Sequence, residues 1–148
     1  MRALLILKLR SAIGLAIFFV LIFGSVVIKA DVIAERKANF KSNAAAMKAI
    51  RAAIGASDFD AVMLHATTIA EWARVMPDYF PANSDKGDTK ALPDIWMDFN
   101  GFIRSASANE KDALELIKTA KKGDISATIE GVKQLGRSCK SCHNNFKD

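Results

Sequence analysis

Apolar residues recur at intervals of three and four along four successive stretches of this chain of 148 residues, and this period limits the fold more than any other feature. Such spacing places the apolar side chains on one face of an α-helix. The stretches begin at Ile33, Phe59, Ile95 and Ile125. No convincing strand pattern interrupts them, so residues 31–148 are predicted to form one all-α domain.

The first two helices have recognisable ends. The first apolar stripe stops at Gly55, where a left-handed C-cap forms easily. Ser57 or Asp58 is expected to cap the second helix, because short polar side chains satisfy free backbone N–H groups there. Pro77 should end the second helix, since proline cannot continue a helix interior.

All three prolines lie in residues 77–93, which should form the one long connection. Pro93 is expected to open the third helix from a favourable first-turn position, and Gly123 to close it. Residues 105–109 are weakly apolar, so the third helix is expected to kink or fray there. Asp124 should cap the fourth helix. Four helices with one long connection predict an antiparallel up-down-up-down four-helix bundle.

The two cysteines of the chain both belong to the sequence Cys139-Lys140-Ser141-Cys142-His143. C-x-x-C-H is the attachment motif of a c-type haem. Two thiols can add to the two vinyl groups of one porphyrin, and the imidazole can ligate the iron. Spacings of three and four put Cys139, Cys142 and His143 on one side of the fourth helix. Because that side carries the apolar stripe, one covalently attached haem c is predicted inside the bundle.

Two other uses of the cysteine pair are less consistent with the sequence. A thiol redox site of the thioredoxin type would normally follow a strand in a βαβ pattern, and this chain offers no convincing strand. A structural zinc site needs about four ligands, and the other histidine, His65, is far from the motif in sequence.

Small residues occupy several inward positions where a helical core usually has leucine or isoleucine. They are Ala44, Ala66, Ala70, Ala73 and Gly136. Small side chains would leave room for a flat macrocycle, but close helix packing would use them equally well. The sequence leaves both explanations open.

Residues 1–30 are typical of a targeting segment and are not expected to belong to the domain. Three of its first ten residues are basic, namely Arg2, Lys8 and Arg10, and an apolar stretch follows over residues 12–23. This layout predicts a secretory signal peptide, and an uncleaved N-terminal membrane anchor is the alternative. In both cases the domain is expected in the periplasm, attached to a membrane only if the segment is uncleaved.

The net charge of +5 arises mainly from the targeting segment. Four of the 21 basic residues and none of the 16 acidic residues lie in it, which leaves 17 basic and 16 acidic residues in the domain. Two haem propionates would make the domain slightly negative. A nucleic-acid partner is therefore not expected, and neither is a general attraction to anionic lipid.

The place of the haem motif at the end of an exported four-helix chain resembles the cytochrome c-prime family, together with its low-spin relatives. The resemblance covers residues 31–148. Three further segments are similar to the family: Arg36-Lys37-Ala38-Asn39-Phe40-Lys41, Pro93-Asp94-Ile95-Trp96 and Lys122-Gly123-Asp124. The family is itself a known example of the up-down-up-down bundle, so the resemblance implies the same fold as the helical pattern.

By this resemblance Cys139 and Cys142 carry the thioether bonds and His143 is the proximal iron ligand. The resemblance also implies that Arg36 lies beside a haem propionate and that Lys147 lies near the proximal face. Independently of the family, a guanidinium on the inward stripe of a helix is costly unless it meets an anion. The alternative is that Arg36 reaches solvent or pairs with a surface acid.

The distal residue determines which ligands the iron can take. In the family this residue, four positions after the arginine, is either a methionine that ligates the iron or an apolar residue that leaves the sixth position open. Here it is Phe40, which has no ligating atom. The resemblance therefore predicts a five-coordinate, high-spin iron that binds small diatomic ligands such as nitric oxide. Met47 or His65 would be needed for a sixth ligand, whereas Met63 and Met76 are expected to be core residues.

The main hypothesis is thus a monohaem cytochrome that binds diatomic gases and can also carry electrons. The alternative is mainly a one-electron carrier with a six-coordinate, low-spin haem and a redox protein as partner. A haem peroxidase is a minor alternative, because no distal histidine or arginine is expected beside Phe40 to help cleave an O–O bond. No nucleophile and base pair suggests hydrolytic chemistry, so an enzyme is not predicted. A homodimer through the outward faces of the first two helices is compatible with the sequence.

Overall fold

The computed structural model describes residues 32–148, which fold into four long α-helices and one short one. The helices are α1 (32–55), α2 (Phe59–Val75), α3 (Asp94–Met97), α4 (Phe99–Lys121) and α5 (Ile125–Phe146). Within residues 32–148 the backbone forms no strand, only an isolated bridge between Ala91 and Lys147. The predicted all-α class is confirmed. The targeting segment predicted at residues 1–30 lies outside the described residues.

Aspartate side chains cap the N-terminal ends of three of the long helices. The carboxylates of Asp58, Asp98 and Asp124 each accept a hydrogen bond from the backbone N–H three residues later, with N–O distances of 3.0, 2.9 and 3.0 Å. Each bond satisfies one of the free N–H groups at a helix start. The caps predicted at Asp58 and Asp124 are confirmed. Gly123 follows the end of α4 with a φ of 69°, a conformation that glycine adopts without strain.

The third predicted helix is broken at Asp98. Pro93 precedes α3 as expected, but Asp98 adopts φ −123° and ψ 64°, and α4 begins at the next residue. The break costs little because the Asp98 carboxylate caps the new helix. The kink expected over residues 105–109 is wrong: α4 is continuous there, and Asn109 within it is hydrogen-bonded to α5.

The long connection is fixed at both ends. Helix α2 ends at Val75, and a 3-10 turn over Met76–Tyr79 carries the chain through Pro77. At the other end the N–H of Leu92 donates to the carbonyl of Phe146 at 3.0 Å. The N–H of Asp148 also donates to the carbonyl of Lys90, at 2.9 Å. These two bonds hold the end of the connection against the end of α5, close to the C-x-x-C-H motif.

The buried apolar side chains form two clusters. The first is aliphatic, and its large side chains at 0% exposure are Ile50, Ile69, Leu116 and Leu135. The second is built mainly on four aromatic side chains: Trp72, Phe80, Phe102 and Phe146. Cys139 packs against the aliphatic cluster and Cys142 against the aromatic cluster. The C-x-x-C-H motif therefore lies where the two clusters meet. Among residues 32–148, no helix has both the length and the apolar character needed to cross a membrane.

Replacing Asp98 by alanine should lower the free energy of unfolding by about 1 kcal/mol, because α4 loses its side-chain cap. Asp98→Asn keeps an acceptor at the same place and should cost little. Denaturant unfolding of both variants and the parent protein measures the difference. Equal losses in the two variants would instead assign the effect to the ion pair between Asp98 and Arg104, whose charged atoms are 3.7 Å apart.

Candidate functional site

A cavity of about 510 Å³ opens beside the C-x-x-C-H motif. Its lining is mostly apolar and includes all six residues predicted for the site: Arg36, Phe40, Cys139, Cys142, His143 and Lys147. The first two come from α1 and the other four from the carboxyl-terminal end of the chain. The volume lies within the range of pockets that hold a small molecule or cofactor. Two thiols, an imidazole and a buried guanidinium around an apolar space fit the thioether, iron and propionate chemistry of a haem.

The two cysteines are free thiols on the cavity wall. Burial raises the pKa of Cys139, and burial together with the neighbouring Cys139 raises the pKa of Cys142 to about 11. The amide of Asn109 donates to the Cys139 sulfur at 3.2 Å. A thiol with a raised pKa is a poor nucleophile at neutral pH, which disfavours the thiol redox alternative. Nor do the described residues hold three or more His, Cys, Asp or Glu side chains placed to bind one metal ion, as zinc would require.

His143 borders the cavity one residue beyond Cys142. Partial burial lowers the pKa of its imidazole, and the positive charge of Lys147 lowers that pKa further. The neutral imidazole is the form that binds a metal ion. Lys147 lies one helical turn further on and also borders the cavity. The surroundings of His143 thus favour the protonation state that an iron ligand needs.

Arg36 is only 2% exposed, so its guanidinium does not reach solvent. Nη2 donates to the carbonyl of Ser84 and to the hydroxyl of Thr89, both at 2.8 Å. Nη1 donates to the hydroxyl of Ser84 at 3.0 Å and, at 3.4 Å, to the carbonyl of Tyr79. The guanidinium carbon also lies 4.6 Å from the centre of the Phe80 ring. All four hydrogen bonds go to neutral oxygens of the long connection and the turn before it, and burial lowers the pKa of Arg36.

Phe40 presents an aromatic ring to the cavity from α1. The ring meets Trp72 at a centroid distance of 5.4 Å and Phe80 at 6.4 Å, both in edge contacts. Such T-shaped contacts are favourable and fix ring orientation. The Phe40 ring therefore offers the cavity a hydrocarbon surface without a lone pair.

The other candidates for an iron ligand divide into two groups. Met47 and Met76 border the cavity. Met76 is also 4% exposed within the aromatic cluster, as expected of a core residue. Met63 packs against the aliphatic cluster instead. His65 is not among the residues that line the cavity.

The small residues serve packing more than they serve the cavity. Of the five noted in the sequence only Ala44 lines it. Ala66, Ala70 and Ala73 are buried within the two clusters. A side chain at Gly136 would meet open space. Close helix packing is therefore the better explanation for most of them.

The cavity wall also includes residues that were not predicted for the site, among them Asn43, Ala106 and Asn109. Asn109 follows Ala106 by three residues on the inward face of α4 and is 5% exposed. A polar residue on an apolar stripe signals a buried hydrogen bond, and here its partners are Ser138 and Cys139. Asn43 gives a similar signal on α1, three residues after Phe40.

Comparison with known proteins gives a consistent result. A family model described as cytochrome c′ matches residues 31–147. A cytochrome c′ of Rhodopseudomonas palustris is 38% identical, with 95% of this chain and 97% of that protein covered. A cytochrome c-556 of Agrobacterium fabrum is 30% identical over the same shares of the two chains. The structure of cytochrome c′ from Shewanella frigidimarina matches with a TM-score of 0.74 and 31% identity, covering 81% of this chain and 96% of that one.

Replacing Arg36 by lysine should lower the free energy of unfolding by about 1–3 kcal/mol, because one ammonium cannot make the forked bonds to Ser84 and Thr89. Amide hydrogen exchange should accelerate in residues 79–89. Lys37→Ala is the matched control, since exposed Lys37 pairs with Asp88 of the same connection and should contribute little. Unchanged exchange in the Arg36 variant would mean that the connection is ordered without the guanidinium.

Proposed function

This chain belongs to the cytochrome c′ family and is a c-type cytochrome with covalently attached haem c, and we propose that its iron is five-coordinate. His143 is the proximal ligand in this proposal, and Cys139 and Cys142 form the thioether bonds. The chain has no other cysteines, and all three residues border one cavity. Phe40 occupies the distal side, where it leaves the sixth coordination position open.

Arg36 and Lys147 complete the proposed site. Both side chains border the cavity. Arg36 carries a buried positive charge whose hydrogen bonds go to neutral oxygens, so a haem propionate at the cavity edge would compensate that charge. Lys147 lies near enough to His143 for its charge to lower the imidazole pKa, which supports its place on the proximal side.

The rigid aromatic surface of Phe40 is the observation that carries the proposal. A phenyl ring cannot ligate iron, and the edge contacts with Trp72 and Phe80 favour its present orientation. An open position behind such a ring admits small neutral molecules and obstructs larger ones. We therefore assign to the protein the binding of diatomic ligands such as nitric oxide, in the periplasm, with electron transfer as a secondary role.

Ferric holoprotein should give a high-spin electron paramagnetic resonance spectrum. Phe40→Met supplies a thioether where the ring was and should shift the iron toward low spin. Phe40→Leu is the matched control, because it remains apolar and should stay high-spin. A low-spin spectrum of the parent protein would refute the open site. An unchanged spectrum of the methionine variant would show that Phe40 is not the distal residue.

A one-electron carrier with a six-coordinate, low-spin haem is the second candidate. The observation in its favour is that the thioethers of Met47 and Met76 both border the cavity. If the parent spectrum is low-spin, Met47→Leu and Met76→Leu should identify the ligand, because only the variant that loses its thioether ligand becomes high-spin. Low-spin spectra in both variants would exclude the two methionines.

A homodimer through the outward faces of α1 and α2 remains part of the proposal. In this proposal Leu64 on α2, whose side chain is 66% exposed, lies in the contact between the two copies. Analytical ultracentrifugation should show a dimer that Leu64→Glu weakens. A parent protein that sediments as a monomer at all concentrations would refute the dimer and leave the haem site untouched.

A further inference from the structure

Asn43 borders two cavities at once. One is the main cavity beside the C-x-x-C-H motif. The other is a side cavity of about 340 Å³, lined by α1, α2 and the turn that follows α2. Asn43 follows Phe40 by three residues, so both side chains lie on the same face of α1. Its carboxamide therefore stands in the wall between the proposed distal space and the side cavity.

Two residues that line the side cavity each hold a buried polar atom without a hydrogen-bond partner within residues 32–148: Oδ1 of Asn43 and Nε1 of Trp72. Oδ1 is an acceptor and the indole N–H is a donor, so their needs are complementary. Leaving both atoms unpaired is costly, because each one gives up a hydrogen bond to water on folding. A water molecule that accepts from Trp72 and donates to Asn43 would satisfy both atoms.

Such a water molecule would determine which end of the Asn43 carboxamide faces which cavity. If Oδ1 is turned toward Trp72 and the side cavity, the NH₂ group is left for the main cavity. The two other polar side chains that α1 contributes to the main cavity are already engaged. Arg36 bonds to Ser84 and Thr89, and Lys37 pairs with Asp88.

We propose that Nδ2–H of Asn43 donates a hydrogen bond to a diatomic ligand in the distal space, and that Trp72 positions Asn43 through a water molecule in the side cavity. This inference rests on the proposed open iron site. Asn43 is then a specificity-determining residue and Trp72 a positioning residue. The distal space combines a hydrocarbon surface from Phe40 with one donor, which favours ligands whose outer atom carries negative charge.

Carbon monoxide bound to the ferrous holoprotein is a suitable probe. A hydrogen bond to its oxygen lowers the C–O stretching frequency and slows dissociation. Asn43→Leu removes the donor at similar size and should raise the frequency and speed dissociation about fivefold, the equivalent of one neutral hydrogen bond. Trp72→Phe removes the anchoring N–H and should move both values partway in the same direction. Ser42→Ala, which alters only the side-cavity wall, is the matched control and should change neither value.

Asn43→Asp separates hydrogen bonding to the ligand from a merely structural role. Aspartate keeps an acceptor for the water below Trp72 but has no amide donor, so it should resemble Asn43→Leu. An Asn43→Asp protein that matches the parent would overturn the proposal, and it decides the matter even if the leucine variant fails to fold. Parent-like values in Trp72→Phe would overturn the positioning role. A parent protein that binds no carbon monoxide would overturn the open site itself, a result distinct from unchanged values in the variants.

Discussion

The spacing of three and four residues between Cys139, Cys142 and His143 is the constraint on which the rest of the structure depends. It puts two thiols and an imidazole on one face of a helix within two turns. All three side chains border the cavity, and none of them is fully buried. Cys139 packs against the aliphatic cluster and Cys142 packs against the aromatic cluster. Both cysteines border the cavity. The wide aromatic rings are suited to enclosing such a space because a few of them cover a large area.

The buried guanidinium of Arg36 holds the long connection, which contains no long helix, against α1. The long connection cannot order itself through an apolar stripe, yet Arg36 binds Ser84 and Thr89 and so ties it to α1. Desolvation of a guanidinium is costly, and hydrogen bonds to neutral oxygens offset only part of that cost. A negatively charged group in the adjoining cavity would offset more. The ordering of the connection and the occupancy of the cavity are therefore linked through one side chain.

The helical period and the local capping rules were sufficient to predict most of the fold. Asp58 and Asp124 were predictable as caps because capping depends on a backbone N–H only three residues away. The break at Asp98 was missed, since the apolar stripe continues across it and Pro93 is an acceptable helix start. The motif and the resemblance together identified six residues that border one cavity. The partners of Arg36 and Asn109 were beyond prediction, because they come from segments 29–53 residues away in sequence.

Trp72 links the steric and the polar features of the distal wall. Its ring meets the edge of Phe40, and the rings of Trp72 and Tyr79 lie 5.0 Å apart between centroids. Its Nε1 lies at the same side cavity as the carboxamide oxygen of Asn43. In the proposed site, a shift of this single indole would therefore move both the hydrocarbon surface and the hydrogen-bond donor. The size limit and the polarity of the proposed distal space would then vary together, because both depend on a residue that is 6% exposed and packed within the aromatic cluster.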